Sequence, residues 1–258
     1  MIDLNCYLGH YAFRQLRYNT ADALLKWMDE KGIDRAVVSS AAAITFRNVQ
    51  PANEELAKET APHLDRLIPF AVLNPAYAGW TDDLTACRES LGMKGVRLHP
   101  GWHGYKASDA CCDELVHAAA ERGMPISLPI RVEDNRQRHW LVDVPDEPLG
   151  EIVKLVQGRP DARFVLCAGG GFTGSELGRK ESGLGENYLI GICRMTALLH
   201  DEMGTLIANL GPQRLAFESG MPFHYPDPAI LKVRVQDVSE EAKERILTKN
   251  AEEFLAAP

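Results

Sequence analysis

Five residues of this 258-residue chain are spaced so that they could act together: Asn5, Tyr7, Arg97, His99 and Glu218. Asn5 and Tyr7 stand two apart in one apolar run, and Arg97 and His99 stand two apart in another. Side chains two apart on an extended strand share a face. His103 and Tyr105 follow His99 closely, and a dense polar run extends from Arg131 to His139. His10 and Arg14 come just after the first apolar run. This set holds several cations and few fixed anions. An arginine fork grips a carboxylate through two parallel hydrogen bonds, so the expected ligand is a small anionic molecule. Arg97 and Arg131 would orient it, with His139 and Glu218 beside it. His99 or His103 would serve as general acid or base, and Tyr7 and Asn5 would donate to a developing oxyanion.

Each residue also has a structural reading. Arg97 and Glu218 could form a buried ion pair, since buried charges are normally paired. Tyr7 could simply fill volume, and His99 could be a hydrogen-bonded core residue. The run from Arg131 to His139 could be a solvated loop or a subunit contact.

The elements that must position these groups alternate. Short apolar runs at Ile2–Leu8, Arg35–Ser40, Leu67–Leu73, Gly95–His99, Pro125–Ile130, Arg163–Ala168, Tyr188–Cys193 and Arg214–Glu218 predict buried strands. Amphipathic runs predict helices at Thr20–Lys31, Ala52–Pro62, Trp80–Leu91, Ser108–Arg122, Leu149–Gln157 and Thr196–Leu210, with closing helices at Pro226–Val233 and Ser239–Leu255. Thr20 offers a cap, and Lys31-Gly32 and Arg122-Gly123 supply C-terminal signals. The connection Gly169–Asn187 is Gly-rich and has no clear helical period. Eight such alternations predict one domain over residues 1–258, an α/β (β/α)8 TIM barrel. A doubly wound open sheet is the alternative, although the first strand lacks the Gly-rich turn of a dinucleotide site. In a barrel the chemistry lies at the C-terminal strand ends. By alternation, Cys6 and Cys167 would face the helices.

The net charge of −8 and the absence of a Lys/Arg run argue against nucleic acid. No apolar stretch reaches the roughly 18 residues of a membrane span. The N-terminus enters a strand at once, which predicts no signal peptide and a cytoplasmic protein. Six cysteines without a Cys-x-x-Cys pair predict reduced thiols. Fold analogy alone points to a homodimer.

Several segments carry a resemblance over nearly the full length. They are Ile2-Asp3-Leu4-Asn5-Cys6-Tyr7-Leu8-Gly9, Gly32-Ile33-Asp34-Arg35-Ala36-Val37-Val38-Ser39, Asn74-Pro75, Gly92-Met93-Lys94-Gly95-Val96-Arg97-Leu98-His99-Pro100, the run from Gly211 to Pro222, and Asn250-Ala251. In this order they resemble the amidohydrolase-related (amidohydrolase 2) family. The resemblance implies a TIM barrel, usually a divalent metal such as zinc, and hydrolysis or non-oxidative decarboxylation of small carboxylic substrates. The departures fall on the implied metal ligands. Asn5 and Tyr7 replace the first-strand histidines, Pro129 and Ala168 stand near the fifth- and sixth-strand histidines, and Gly220 stands for the last-strand aspartate. The expectation is therefore no metal and no cofactor. The chain would be a metal-independent, lactonase-like hydrolase or a decarboxylase acting on a small carboxylate. The alternative is an inactive pseudoenzyme that binds an anionic metabolite or a protein partner. A third reading keeps a metal on displaced ligands drawn from His10, His99, His103, His139 and Glu218.

Overall fold

The computed structural model describes residues 1–196 and 200–256. Eight parallel strands run in sequence order: β1 Ile2–Leu8, β2 Arg35–Ser40, β3 Leu67–Val72, β4 Gly95–Arg97, β5 Ile126–Pro129, β6 Phe164–Cys167, β7 Tyr188–Gly191 and β8 Leu215–Ala216. The ring closes between β8 and β1. Leu4 N donates to Phe217 O at 3.2 Å, Gly220 N to Asn5 O at 2.9 Å and Tyr7 N to Met221 O at 2.8 Å. The chain is thus a TIM barrel, and the open doubly wound alternative is excluded by this closure. No helix among the described residues is long and apolar enough to cross a membrane.

Two layers bury the apolar residues. Inside the ring, Ile2, Leu4, Val37, Phe70, Val165 and Ala216 pack with Phe254 of the closing helix, Asn250–Leu255. Outside it, Leu8, Val38, Leu98, Leu128 and Leu166 pack against helical residues such as Leu24, Leu115 and Leu155. A register shift between Asp3 and Cys6 interrupts β1. Such a bulge re-aims the side chains beyond it. Leu4 packs inside the ring, yet its neighbour Asn5 reaches Glu218 across the β8–β1 seam.

The local signals hold where a side chain or an αL glycine enforces them. Thr20 accepts from Ala23 N, and the helix Ala21–Lys31 ends at Gly32 with φ 69°. Only glycine adopts that conformation without strain. The segment expected as one helix from Trp80 is α-helical over Trp80–Thr85 and continues as a wider π turn over Ala86–Ser90. Gly169–Asn187 forms two short 3-10 turns, Phe172–Gly174 and Glu176–Gly178. The helix expected from Thr196 spans Glu202–Leu210, capped by Asp201, and residues 197–199 lie outside the described residues. Cys167 corrects its expected facing. Its thiol lies inside the ring, 3.7 Å from Ser127 Oγ.

Candidate functional site

Arg97 is fully buried inside the upper ring. Its Nε donates to Ser127 Oγ at 3.1 Å, its Nη1 to Cys6 O at 2.9 Å and its Nη2 to Leu4 O at 3.1 Å. The guanidinium carbon sits 4.6 Å from the centre of the Tyr7 ring. Arg97 therefore ties β4 to the backbone of β1 and makes no ion pair with Glu218. The expected pair does not form because neutral carbonyls, exposed by the bulge region of β1, take the guanidinium instead. Glu218 accepts from Asn5 Nδ2 at 2.9 Å, Ala168 N at 3.1 Å and Cys193 N at 3.0 Å. It lies just past β8 and knits the upper ends of β1, β6 and β7 together.

Gly191 makes room for this carboxylate. A Cβ built there would lie 2.5 Å from Glu218 Cγ. Gly191→Ala is expected to push Glu218 off its two backbone donors and cost about 1–3 kcal/mol. A denaturant melt would check this, and an unchanged midpoint would show that the carboxylate has another resting place.

Asn5, Tyr7 and His99 meet at the same level but are sealed from solvent. Tyr7 OH, Asn5 Oδ1 and both His99 nitrogens have no hydrogen-bond partner among the described residues. The Tyr7 and His99 ring centres are 6.2 Å apart, and Phe223 stands edge-on to Tyr7 at 5.1 Å. Burial, aided by His103 and Arg97, holds the His99 imidazole well below its usual pKa. Burial pushes the Tyr7 phenol up, and pushes the Asp3 carboxyl beneath them to about 6. His103 is anchored: its Nε2–H donates to Ala43 O at 3.0 Å.

The loop after β5 corrects two further expectations. Arg131 is clamped in a bidentate pair with Asp146, with 2.6 Å from Nε, so its fork is filled within its own loop. His139 lies against Phe13 and Trp140, each with ring centres 5.7 Å away, and its Nδ1 accepts from Leu141 N. Neither lines the large cleft described next, and neither do Asn5, Tyr7, Arg97, His99, His103 or Glu218.

That cleft, of about 560 Å³, opens beside the ends of β1, β7 and β8. Its walls carry Arg14, Arg17, Arg136 and Arg194, with Asp134 as the one acidic group. Asp134 bonds Arg136 at 3.0 Å and Arg194 at 3.3 Å. His224 is half-buried in the wall with its ring beside the Val132 backbone, and its Nε2, shut off from solvent, has no partner among the described residues. Its ring touches the space above Gly220, where a Cβ would come within 2.7 Å of it, and Asn5 Nδ2 would be 3.8 Å away. Burial first, and then the charges of Arg194 and Arg14, hold the His224 imidazole below its usual pKa, against an opposing pull from Glu218. The ring is therefore neutral near pH 7 and able to accept a proton. Lys232 supports the floor, donating to Ile192 O and Met195 O at 3.0 Å each and also to Cys193 O. Sequence reasoning missed His224 and Arg194. Both lie in the connections that follow β7 and β8, so a search of those loops for polar residues could have found them.

A model of the amidohydrolase family matches residues 9–171, more than half of the chain. The chain belongs to the amidohydrolase family. No curated protein matches it. Among solved structures, it is similar to a 2,6-dihydroxybenzoate decarboxylase from Rhizobium, at 18% identity and TM-score 0.74 over 98% of each chain. A dihydroxybenzoic acid decarboxylase from Polaromonas, with bound manganese and the inhibitor 2-nitroresorcinol, matches at 18% identity and TM-score 0.74, over 98% of this chain and 96% of that one. A probable 2-pyrone-4,6-dicarboxylic acid hydrolase from Acinetobacter baumannii, with citric acid bound, matches at 14% identity and TM-score 0.68 over 98% of each chain.

The amidohydrolase family implies a divalent metal at the barrel mouth. A zinc site takes about three protein ligands from His, Cys and carboxylates. Among the described residues no group of three or more His, Cys, Asp or Glu is placed to hold a metal. The oxygens of Glu218 are already taken by Asn5 and two backbone amides. The buried guanidinium of Arg97 adds a positive charge to the interior that would receive the ion.

Proposed function

We propose that this amidohydrolase is a metal-independent hydrolase that opens a lactone or similarly activated ester of a small carboxylate in the arginine cleft. One observation carries the reading: a neutral imidazole, His224, lines a cleft walled by four arginines. The names of the structural neighbours, two aromatic-acid decarboxylases and a pyrone dicarboxylic acid hydrolase, supply the carboxylate and lactone classes. Without a metal to generate hydroxide, water must be activated by a side chain, which favours an easily opened ester over an amide.

In this reading Arg194 and Arg14 hold the substrate carboxylate beside His224. A ring nitrogen of His224 takes a proton from water as the water oxygen adds to the ester carbonyl. The guanidinium groups also stabilise the tetrahedral oxyanion. The C–O bond to the ring oxygen then breaks, and the imidazolium returns its proton to that oxygen. Barrel-centre residues such as Arg97 and Tyr7 hold the scaffold.

The test is a screen of carboxylated lactones and aromatic carboxylates on chelator-treated protein, following both ring opening and carbon dioxide release. Turnover that survives chelation supports the reading. Binding without any turnover would make the chain a carboxylate-binding barrel. Carbon dioxide release in place of ring opening would make it a decarboxylase.

His224 works only when unprotonated, so kcat/KM should rise with pH through its pKa. Burial and the charges of Arg194 and Arg14 place that acid limb below the ordinary histidine value of about 6.5. An acid limb above pH 7 would assign the base to another group.

A further inference from the structure

Glu133 is a buried carboxylate, 1% exposed, with no side-chain hydrogen-bond donor to either oxygen and the His139 backbone facing it. A buried carboxylate short of donors is costly, and native proteins keep one only where something balances it. The balancing group is Arg14, whose Nε lies 3.5 Å from Glu133 Oε2. The other groups facing Glu133 are Tyr11 from the loop after β1, and Arg138 and His139 from its own loop. Arg138 is committed elsewhere, to Val144 O at 2.6 Å and Asp146 at 3.9 Å. The Tyr11 phenol has no partner.

Arg14 is also a wall of the arginine cleft, with part of its side chain open to it. Its Nη1 and Nη2 rest on neutral acceptors, Gln137 Oε1 at 3.2 Å and Phe223 O at 3.0 Å. One guanidinium therefore faces the cleft on one side and a buried carboxylate on the other.

We propose that the cleft takes up its carboxylate together with one proton, and that Glu133 receives the proton. The inference rests on the carboxylate-binding reading of the cleft. An anion entering beside Arg14 competes with Glu133 for that one guanidinium. Like charges sharing a site cannot both stay ionised at low cost, so the more buried one is neutralised. A proton from solvent adds to a Glu133 oxygen, no other bond changes, and the complex keeps the charge the free cleft had. The protonated carboxyl then stands buried behind Arg14. Burial already pushes the Glu133 carboxyl up from its ordinary range.

Benzoate, whose own ionisation is complete above pH 6, is the probe. Calorimetric titration of the full chain at pH 6.5, in two buffers of different ionisation enthalpy, counts protons bound with it. Wild type should take up a proton, with benzoate affinity falling about tenfold per pH unit above the Glu133 pKa. Glu133→Gln should still bind benzoate, take up no proton and lose that pH dependence. Benzoate binding without proton uptake, or uptake that persists in Glu133→Gln, overturns the inference and leaves the carboxylate reading intact. If benzoate does not bind wild type, the carboxylate reading fails on its own account. The Arg14–Glu133 coupling is then decided by infrared titration, taking wild type minus Glu133→Gln. Arg14→Gln, made in both backgrounds, should raise the Glu133 midpoint by about one pH unit or more. An unmoved midpoint overturns the inference.

Discussion

Arg97→Ala is expected to lose about 3–5 kcal/mol of stability, the range for stripping a buried, hydrogen-bonded core group. Carboxylate affinity in the folded fraction should stay within about threefold, since Arg97 does not line the cleft. The loss has two parts. Removing the guanidinium orphans Leu4 O, Cys6 O and Ser127 Oγ, at about 1–3 kcal/mol for each buried group left unpaired. The missing side chain also leaves a cavity under Tyr7. Relief of the buried charge's desolvation works the other way, but backbone carbonyls fixed in a strand cannot turn to find new donors. Arg97→Met restores the volume without the donors and should recover only the cavity part. The check is a chemical melt paired with a binding isotherm. Lost binding at full stability would instead make Arg97 a ligand group, as its residue type first implies.

The second large effect concerns His224. His224→Gln should lower kcat by about 10²–10⁴ on whichever lactone the screen identifies, the usual range for losing a general base. Stability should move by no more than about 0.5 kcal/mol, as for a substitution that breaks no buried network. Its Nε2 has no partner to lose, and the glutamine amide keeps a donor for the Val132 backbone that the imidazole faces. Single-turnover kinetics with a melt as control would decide it. A drop of less than threefold would move the base to another residue of the wall.

The barrel was legible because its signals are local. β1 and β2 have the predicted bounds, since each is a short run with an apolar centre that stops where the chain turns. β8 is only Leu215–Ala216, and Glu218, read as its end, lies beyond it because the chain must cross to β1 there. The five residues chosen by alternation do gather at the barrel mouth. Their partners were not legible. Arg97 and Glu218 are opposite charges in one interior, but their choice of partners depends on which carbonyls and amides the bulge in β1 and the end of β7 present. Arg131 looked free because its anion, Asp146, lies fifteen residues on across a loop whose path has no periodicity. The cleft was missed for a related reason. Arg14, Arg136, Arg194 and His224 come from four separate loops, and only the closed ring brings those loops side by side.

The Lys232 ammonium, held among the carbonyls of residues 192, 193 and 195, acts as a cation tethered to the protein. Those carbonyls flank Arg194 on both sides. A free ion in such a cage would come and go with the surrounding medium, but a tethered one stays at any ionic strength. Added salt should therefore weaken the pull of the cleft on an anion, through screening over a Debye length of about 10 Å at 0.1 M, while leaving its shape unchanged. Shape and charge, usually entangled in an ion-binding cleft, are here separable by salt alone.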